Sequence, residues 1–363
     1  MKRYWVLLLL VMACLCASCQ TPEQRALRMI GAHGGTVMTD DTLPGDPVVA
    51  VIFEFGRDTH FPNVGFNVPL AILVRIGWEC EFSDIRGLKA LRRLDTGGLP
   101  ISDANLNAIG DLEHLQRLNL YNSEQFTDAG LKHMGRLKNL VSLDLGATGI
   151  TDAGLKHLKG LKKLEDLNLV MTHITDSGLL DLLKELKVLR QLDLTQTGVT
   201  GAGMGEGGNL ERLVGLRLDY TKITDYDMKG FKGMTALVTL SLAHTDITDV
   251  GVKELAGLTN LVTLSLAHTD ITDAGMKELA GMKRLADLDL SEDRITDAGL
   301  KELEKVECLA RLHLGGTFVS KQGLAAFEKA MPHTVVYYDR NPDFRRYLPP
   351  LDWVPPRLRI PVN

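Results

Sequence analysis

The sequence predicts an α/β solenoid of short strand-turn-helix units stacked side by side, and three observations predict it. The thirteen residues LVTLSLAHTDITD occur at 237–249 and again, letter for letter, at 261–273. Related units begin at Leu91, Leu115, Leu140, Leu164, Leu189, Leu213, Leu237, Leu261, Leu285 and Leu309, spaced by 24 residues and twice by 25. Each unit also carries two different hydrophobic periods. A repeat this short cannot hide its apolar face alone and does so against its neighbours.

The clearest copy is LVSLDLGATGITDAGLKHLKGLKKL, residues 140–164. Leu143 and Leu145 alternate with Ser142 and Asp144, the period of a strand with one buried face. Leu155, Leu158 and Leu161 recur every three residues, which predicts a helix lying on that strand. Thr151 and Asp152, between the two, supply oxygens suited to capping the helix start. The glycine that follows is expected to let helix and strand approach closely.

The pattern L-x-x-L-x-L-x-x-T-x-I-T-D-A-G-L resembles the leucine-rich-repeat superfamily, and among its members the bacterial 24-residue subtype. It is also similar to the repeats of eukaryotic F-box proteins, which carry cysteine where Thr148, Thr172, Thr197, Thr221, Thr245, Thr269 and Thr317 stand here. Ser123 and Asp293 depart from the pattern at that position, and the first copy has Leu99 there and Thr96 in place of a core leucine. The resemblance implies a curved horseshoe with parallel strands on the concave face and helices on the convex face. It implies partner binding more often than catalysis and names no partner.

The ends are irregular. Lys2 and Arg3 precede an apolar run at 5–15, too short and too close to the terminus for a spanning helix, so residues 1–18 read as a signal peptide. CASCQ then resembles a bacterial lipobox, which makes Cys19 the expected lipidated residue; the residue three before it is Cys16 where the family places leucine. Ordinary cleavage or an uncleaved anchor are the alternatives. Gln20 after the cysteine favours the outer membrane under the family's sorting preference. Residues 19–66 are expected to form an N-terminal cap with a short helix and a strand pair around a Pro-Gly turn. Residues 67–90 read as a degenerate repeat, 91–327 as the ten repeats and 328–338 as a C-terminal cap strand. Residues 339–363 are a proline-rich tail, read as disordered, as an arm packing Tyr347 and Trp353 on the horseshoe, or as a docking arm for another protein.

Removing residues 1–18 leaves 39 basic against 46 acidic residues, a net charge of −7 that argues against nucleic acid as the partner. Of five cysteines, Cys14, Cys16 and Cys19 lie in the signal region. Cys80 and Cys308 sit near opposite ends of the array, too far apart for a disulfide, and are expected to be buried thiols.

Inward-facing positions of the strands are the expected site of function. One row reads Asn119, Asp144, Asn168, Asp193, Arg217, Ser241, Ser265, Asp289 and His313. A second, where strand meets turn, reads Tyr220, His244, His268 and Glu292, with Asp219 just before Tyr220. Asp144 and Asp193, two strands apart, are at a separation of about 10 Å suited to an inverting glycosidase, but nothing in the sequence buries them to raise a pKa. His244 and His268 on neighbouring strands have a spacing at which a metal is conceivable, yet a duplicated segment explains the second histidine equally well. GMGEGG at 203–208 matches a dinucleotide fingerprint by letters alone, since it falls where an outer helix should be.

No nucleophile-base pair stands out, and no metal or cofactor is expected. The reading is an exported, lipid-anchored, non-catalytic protein of the cell envelope, or alternatively a secreted one. Its concave face is expected to bind a protein partner through Asp144, Asp193, Arg217, Asp219, Tyr220, His244, His268, Asp289 and Glu292. The alternatives are a structural envelope spacer without a ligand and, more remotely, a carbohydrate-active protein.

Overall fold

Each unit's L-x-L core is a three-residue strand because the leucine between two polar residues points inward while its neighbours face out. The computed structural model describes residues 21–32, 35–39, 48–53, 82–204 and 210–338. The chain divides into two compact units, Met1–Asp144 and Leu145–Asn363.

In the first unit an α-helix at Pro22–Ala32 leads into β1 (Gly35–Thr39) and β2 (Val48–Phe53), which pair antiparallel. From β2 the pairing turns parallel, through β3 (Arg93–Asp95) and β4 (Arg117–Asn119) to β5 (Ser142–Asp144). The helix buries Ala26 and sets Arg25 Nε 3.1 Å from Asp84, in a 3-10 turn at Ser83–Gly87. The tip of the expected hairpin, Trp78, Cys80 and residues 1–20 lie outside the described residues.

In the second unit eight strands follow at the repeat spacing: β6 (Asp166–Asn168), β7 (Gln191–Asp193), β8 (Gly215–Arg217), β9 (Thr239–Ser241), β10 (Thr263–Ser265), β11 (Asp287–Asp289), β12 (Arg311–His313) and β13 (Val335–Tyr337). Each pairs parallel with the next, so that equivalent residues of successive repeats face one another. Leu167, Leu192, Leu216, Leu240, Leu264, Leu288 and Leu312 form one buried row. Burial of each such leucine contributes about 2 kcal/mol. The fold is an α/β leucine-rich-repeat solenoid.

Three local expectations are corrected. The helix expected over 152–164 is α-helical only at Asp152–Leu155. Beyond it, Leu158 donates to Leu155 O and Leu161 to Leu158 O, both at 2.9 Å. Leucines every three residues suit this three-per-turn winding better than the 3.6 of an α-helix. Cys308 is exposed, because it lies in the turn before β12 rather than on a leucine position. Finally, the Thr-Asp pair divides its work. Thr151 accepts from the Ala153 amide as a cap, while the aspartate's carboxylate reaches the next repeat, as Asp152 does to the Thr175 amide (2.8 Å) and hydroxyl (2.5 Å).

The same bond pair joins Asp103 to Thr127, Asp176 to Thr200, Asp225 to Thr248, Asp249 to Thr272, Asp273 to Thr296 and Asp297 to Ser320. The glycine of D-A-G makes room for that carboxylate, not for a strand. A Cβ on Gly275 meets Asp249 Oδ1 at 2.6 Å, and one on Gly299 meets Asp273 Oδ1 at 2.3 Å. In the fifth repeat the aspartate is absent and Gly201 stands in its place. There Asp227, from the following repeat, takes over both Thr224 bonds at 2.8 Å, filling the space the missing side chain leaves.

Candidate functional site

The threonine that recurs at one position of each repeat forms a structural ladder. Thr148, Thr172, Thr197, Thr221, Thr245, Thr269 and Thr317 each donate a hydroxyl hydrogen bond to the carbonyl three residues back, at 2.6–2.7 Å. Immediately before each ladder residue the backbone is left-handed. Asn122, Ala147, Met171, Gln196, Tyr220, His244, His268 and Glu292 have φ between 52° and 64°, and Gly98 and Gly316 hold the same place at 78° and 79°. This conformation turns the amide toward the next repeat: His244 N donates to Ala267 O at 2.9 Å and His268 N to Ser291 O at 2.8 Å. Glycine adopts it freely, whereas a residue with a Cβ is strained there by about 1 kcal/mol.

That strain sets three rings in a column. Tyr220 stacks on His244 at 4.0 Å between centroids, and His244 on His268 at 4.0 Å, with interplanar angles of 13° and 17°. Tyr220 and His268 are exposed and His244 half-buried. Rings parallel at this distance direct their nitrogen lone pairs side by side rather than at a common point, which does not suit a shared metal. Among the described residues, no group of three His, Cys, Asp or Glu side chains is placed to hold an ion. Glu292 does not continue the column, because its carboxylate lies over Gly316, where an added Cβ meets it at 2.3 Å.

The strand-face acids are more buried than the sequence suggested, and this alters their chemistry. Burial pushes the Asp219 carboxyl up from its usual range, against the opposing bonds from the Ser241 hydroxyl and the Ala243 amide (2.9 Å). Asp289 is raised for the same reason, although it accepts from the Ser291 hydroxyl at 2.7 Å and amide at 3.0 Å. Both side chains are engaged inside the array. Asp193 and Arg217 are half-buried on β7 and β8, with Asp193 accepting from the Thr195 amide at 3.0 Å. Asp144 ends β5 in the first unit, half-buried.

Several further groups lie outside the predicted contact set. Asp293 replaces a ladder threonine and accepts from the Thr269 amide (2.8 Å) and hydroxyl (3.0 Å); burial pushes its pKa up to about 8. Asp287 is gripped by Arg311 and lies 3.6 Å from His313 Nε2, whose ring stacks on Tyr337 at 4.4 Å. Tyr226 and Val250, at equivalent positions of adjacent repeats, are 81% and 65% exposed, with Lys229 Nζ 5.7 Å from the Tyr226 ring. Residues 205–209, most of GMGEGG, lie outside the described residues. The flanking segments Gly201–Gly203 and Leu210–Arg212 are 3-10 turns, not the α-helix a dinucleotide turn requires.

The comparisons agree with the fold. Leucine rich repeat family profiles match residues 136–159, 160–183 and 211–271. No curated protein matches the chain. An internalin (inlF) from Listeria monocytogenes is similar in structure, with a TM-score of 0.56 and 22% identity over 71% of this chain and 77% of that one. The structure of the mouse RP105/MD-1 complex matches with a TM-score of 0.54 and 20% identity, over 72% of this chain and 48% of that one.

Proposed function

We propose that this protein is a non-catalytic recognition module of the cell envelope that binds a protein through the ring column Tyr220–His244–His268. The observation that carries this reading is that three consecutive repeats hold large rings at left-handed positions where Gly98 and Gly316 show that glycine fits. Asn122, Ala147, Met171, Gln196 and Glu292 carry the same backbone strain, so what sets these repeats apart is the continuous π face that their stacked rings present. Tyr226 and Val250 in the same repeats add exposed apolar surface. A rigid sheet face loses little entropy on docking, and aromatic rings are favoured anchors at protein interfaces. RP105, a fold neighbour, is solved in complex with MD-1, which supports a protein partner.

Export and lipid anchoring at Cys19, ahead of Gln20, complete the proposal and rest on the signal-like residues 1–18. Among the described residues no helix is long and apolar enough to cross a membrane. A clickable palmitate analogue is expected to label the wild-type chain and not Cys19→Ala; equal labelling of both refutes the anchor. Affinity capture from an envelope extract tests recognition, comparing the wild type with the triple variant Tyr220→Ala, His244→Ala, His268→Ala. A protein kept by the first and lost by the second is expected. Identical captured sets from two equally folded baits refute the ring column as the site.

A further inference from the structure

The two outward positions of successive strands carry Thr263 and Ser265 on β10, Asp287 and Asp289 on β11, and Arg311 and His313 on β12. Among the described strands of the array, β11 alone bears an acid at both. The two carboxylates share one face, about 7 Å apart along the strand. Their partners differ. Asp287 is gripped by Arg311 and lies 3.6 Å from His313 Nε2. Among the described residues Asp289 accepts from uncharged donors only, the Ser291 hydroxyl and amide and, at 3.4 Å, the Ser265 hydroxyl. Burial raises the Asp289 carboxyl and the charge of Asp287 adds to it, so a cation at this place offsets both. Thr263 supplies an independent observation. It stands directly across from Asp287, as Ser265 does from Asp289. Thr263 is 4% exposed, and its buried hydroxyl has no hydrogen-bond partner among the described residues. Such a group costs stability until a ligand satisfies it.

We propose that the outward face of β10 and β11 is a site for a primary ammonium group, the lysine side chain of a partner protein, held by Thr263 Oγ1, Ser265 Oγ and the carboxylates of Asp287 and Asp289. The inference rests on the partner being a protein and does not require the ring column. An ammonium has three donors and no acceptor, which matches hydroxyl and carboxylate oxygens converging from two strands about 4.8 Å apart. A guanidinium sets its donors in one plane and fits such a set less well. The hydroxyl of a sugar satisfies Thr263 but leaves the paired acids uncompensated. A metal finds too few ligands, since among the described residues no three His, Cys, Asp or Glu side chains are placed to hold one. Thr263, Ser265, Asp287 and Asp289 are each 6% exposed or less, so the oxygens are recessed. A slim head on a flexible four-carbon stem reaches them where a ring does not.

The test is fluorescence anisotropy of a fluorescein-tagged tetralysine peptide titrated with the full chain at physiological salt, beside tetraarginine. The wild type is expected to bind tetralysine, and to bind tetraarginine several-fold more weakly. Asp289→Asn is expected to weaken tetralysine binding about tenfold. Asp166→Asn removes the same charge from β6 and is expected to leave the affinity within about twofold. Thr263→Val keeps shape and charge while deleting the hydroxyl. It is expected to melt no lower than the wild type yet to bind tetralysine several-fold more weakly, and it decides the matter if Asp289→Asn does not fold. No binding by the wild type overturns the proposal, as do equal losses in Asp289→Asn and Asp166→Asn or wild-type affinity in Thr263→Val. Tetraarginine bound as tightly as tetralysine overturns the assignment to an ammonium. The triple variant of Tyr220, His244 and His268 is expected to bind tetralysine as the wild type does, so the ring-column reading and this one fail separately.

Discussion

Asp249 and Thr272, one repeat apart, are joined twice: the carboxylate accepts from the threonine amide at 2.9 Å and from its hydroxyl at 2.6 Å. A third bond, from the Gly275 amide at 2.9 Å, ties the same carboxylate to the start of the next helix. Asp249→Ala leaves these donors without their acceptor and is expected to cost about 2 kcal/mol. Gly275→Ala drives a methyl into the carboxylate and is expected to cost about as much. Urea denaturation of the two single variants and the double variant checks this. Because both act on one contact, the double loss should be clearly smaller than the sum.

The fifth repeat gives the converse case. A Cβ on Gly201 meets the Asp227 side chain at 1.9 Å, so Gly201→Ala is expected to destabilise by about 2 kcal/mol. Restoring the repeat's own residue, Gly201→Asp, is expected to be tolerated only together with Asp227→Ala, which empties the space. Melting temperatures of the three variants test this, and equal losses with and without Asp227→Ala contradict the substitution of one aspartate for the other.

Asp293 makes stability depend on pH. Its folded pKa, about 8, lies above the ordinary 3.8, so the protonated carboxyl's contribution is fully present below about pH 4 and is lost as pH rises through 8. The slope is at most about 1.4 kcal/mol per pH unit for one proton. Asp293→Thr restores the ladder residue and is expected to stabilise at pH 8 by about 1–3 kcal/mol while flattening this part of the profile. Denaturation midpoints at pH 5 and pH 8 for both proteins supply the comparison.

The ring column trades stability for surface. His244→Gly and His268→Gly are each expected to gain about 0.5–1 kcal/mol over the corresponding alanine variants, because φ of 56° no longer strains the backbone. Both glycine variants should nonetheless lose the captured partner. Reduced stability relative to alanine refutes the account of strain.

The leucine spacing, the strand register and the threonine ladder could be read from the sequence, because each follows from a local period that the next repeat copies. The Thr151 cap was legible for the same reason. The aspartate and glycine of T-D-A-G were assigned to the wrong neighbour, since a carboxylate that bonds 23 residues on leaves no sign within its own unit. Helix length was overestimated because a three-residue leucine period fits both an α stripe and a series of i→i+3 turns.

What the sequence determined by itself is the repeat: which side chains face the core, which face out, and in what order they recur. Only the tertiary structure decided what the outward side chains experience. Asp193 and Asp289 occupy the same position of the same motif, yet one is half-exposed and the other buried with a raised pKa. Desolvation depends on everything packed within a few ångströms, including residues of neighbouring repeats that the motif itself does not contain. The stacking of Tyr220, His244 and His268 is of the same kind, set by a left-handed backbone and a 4.0 Å approach that no single repeat contains.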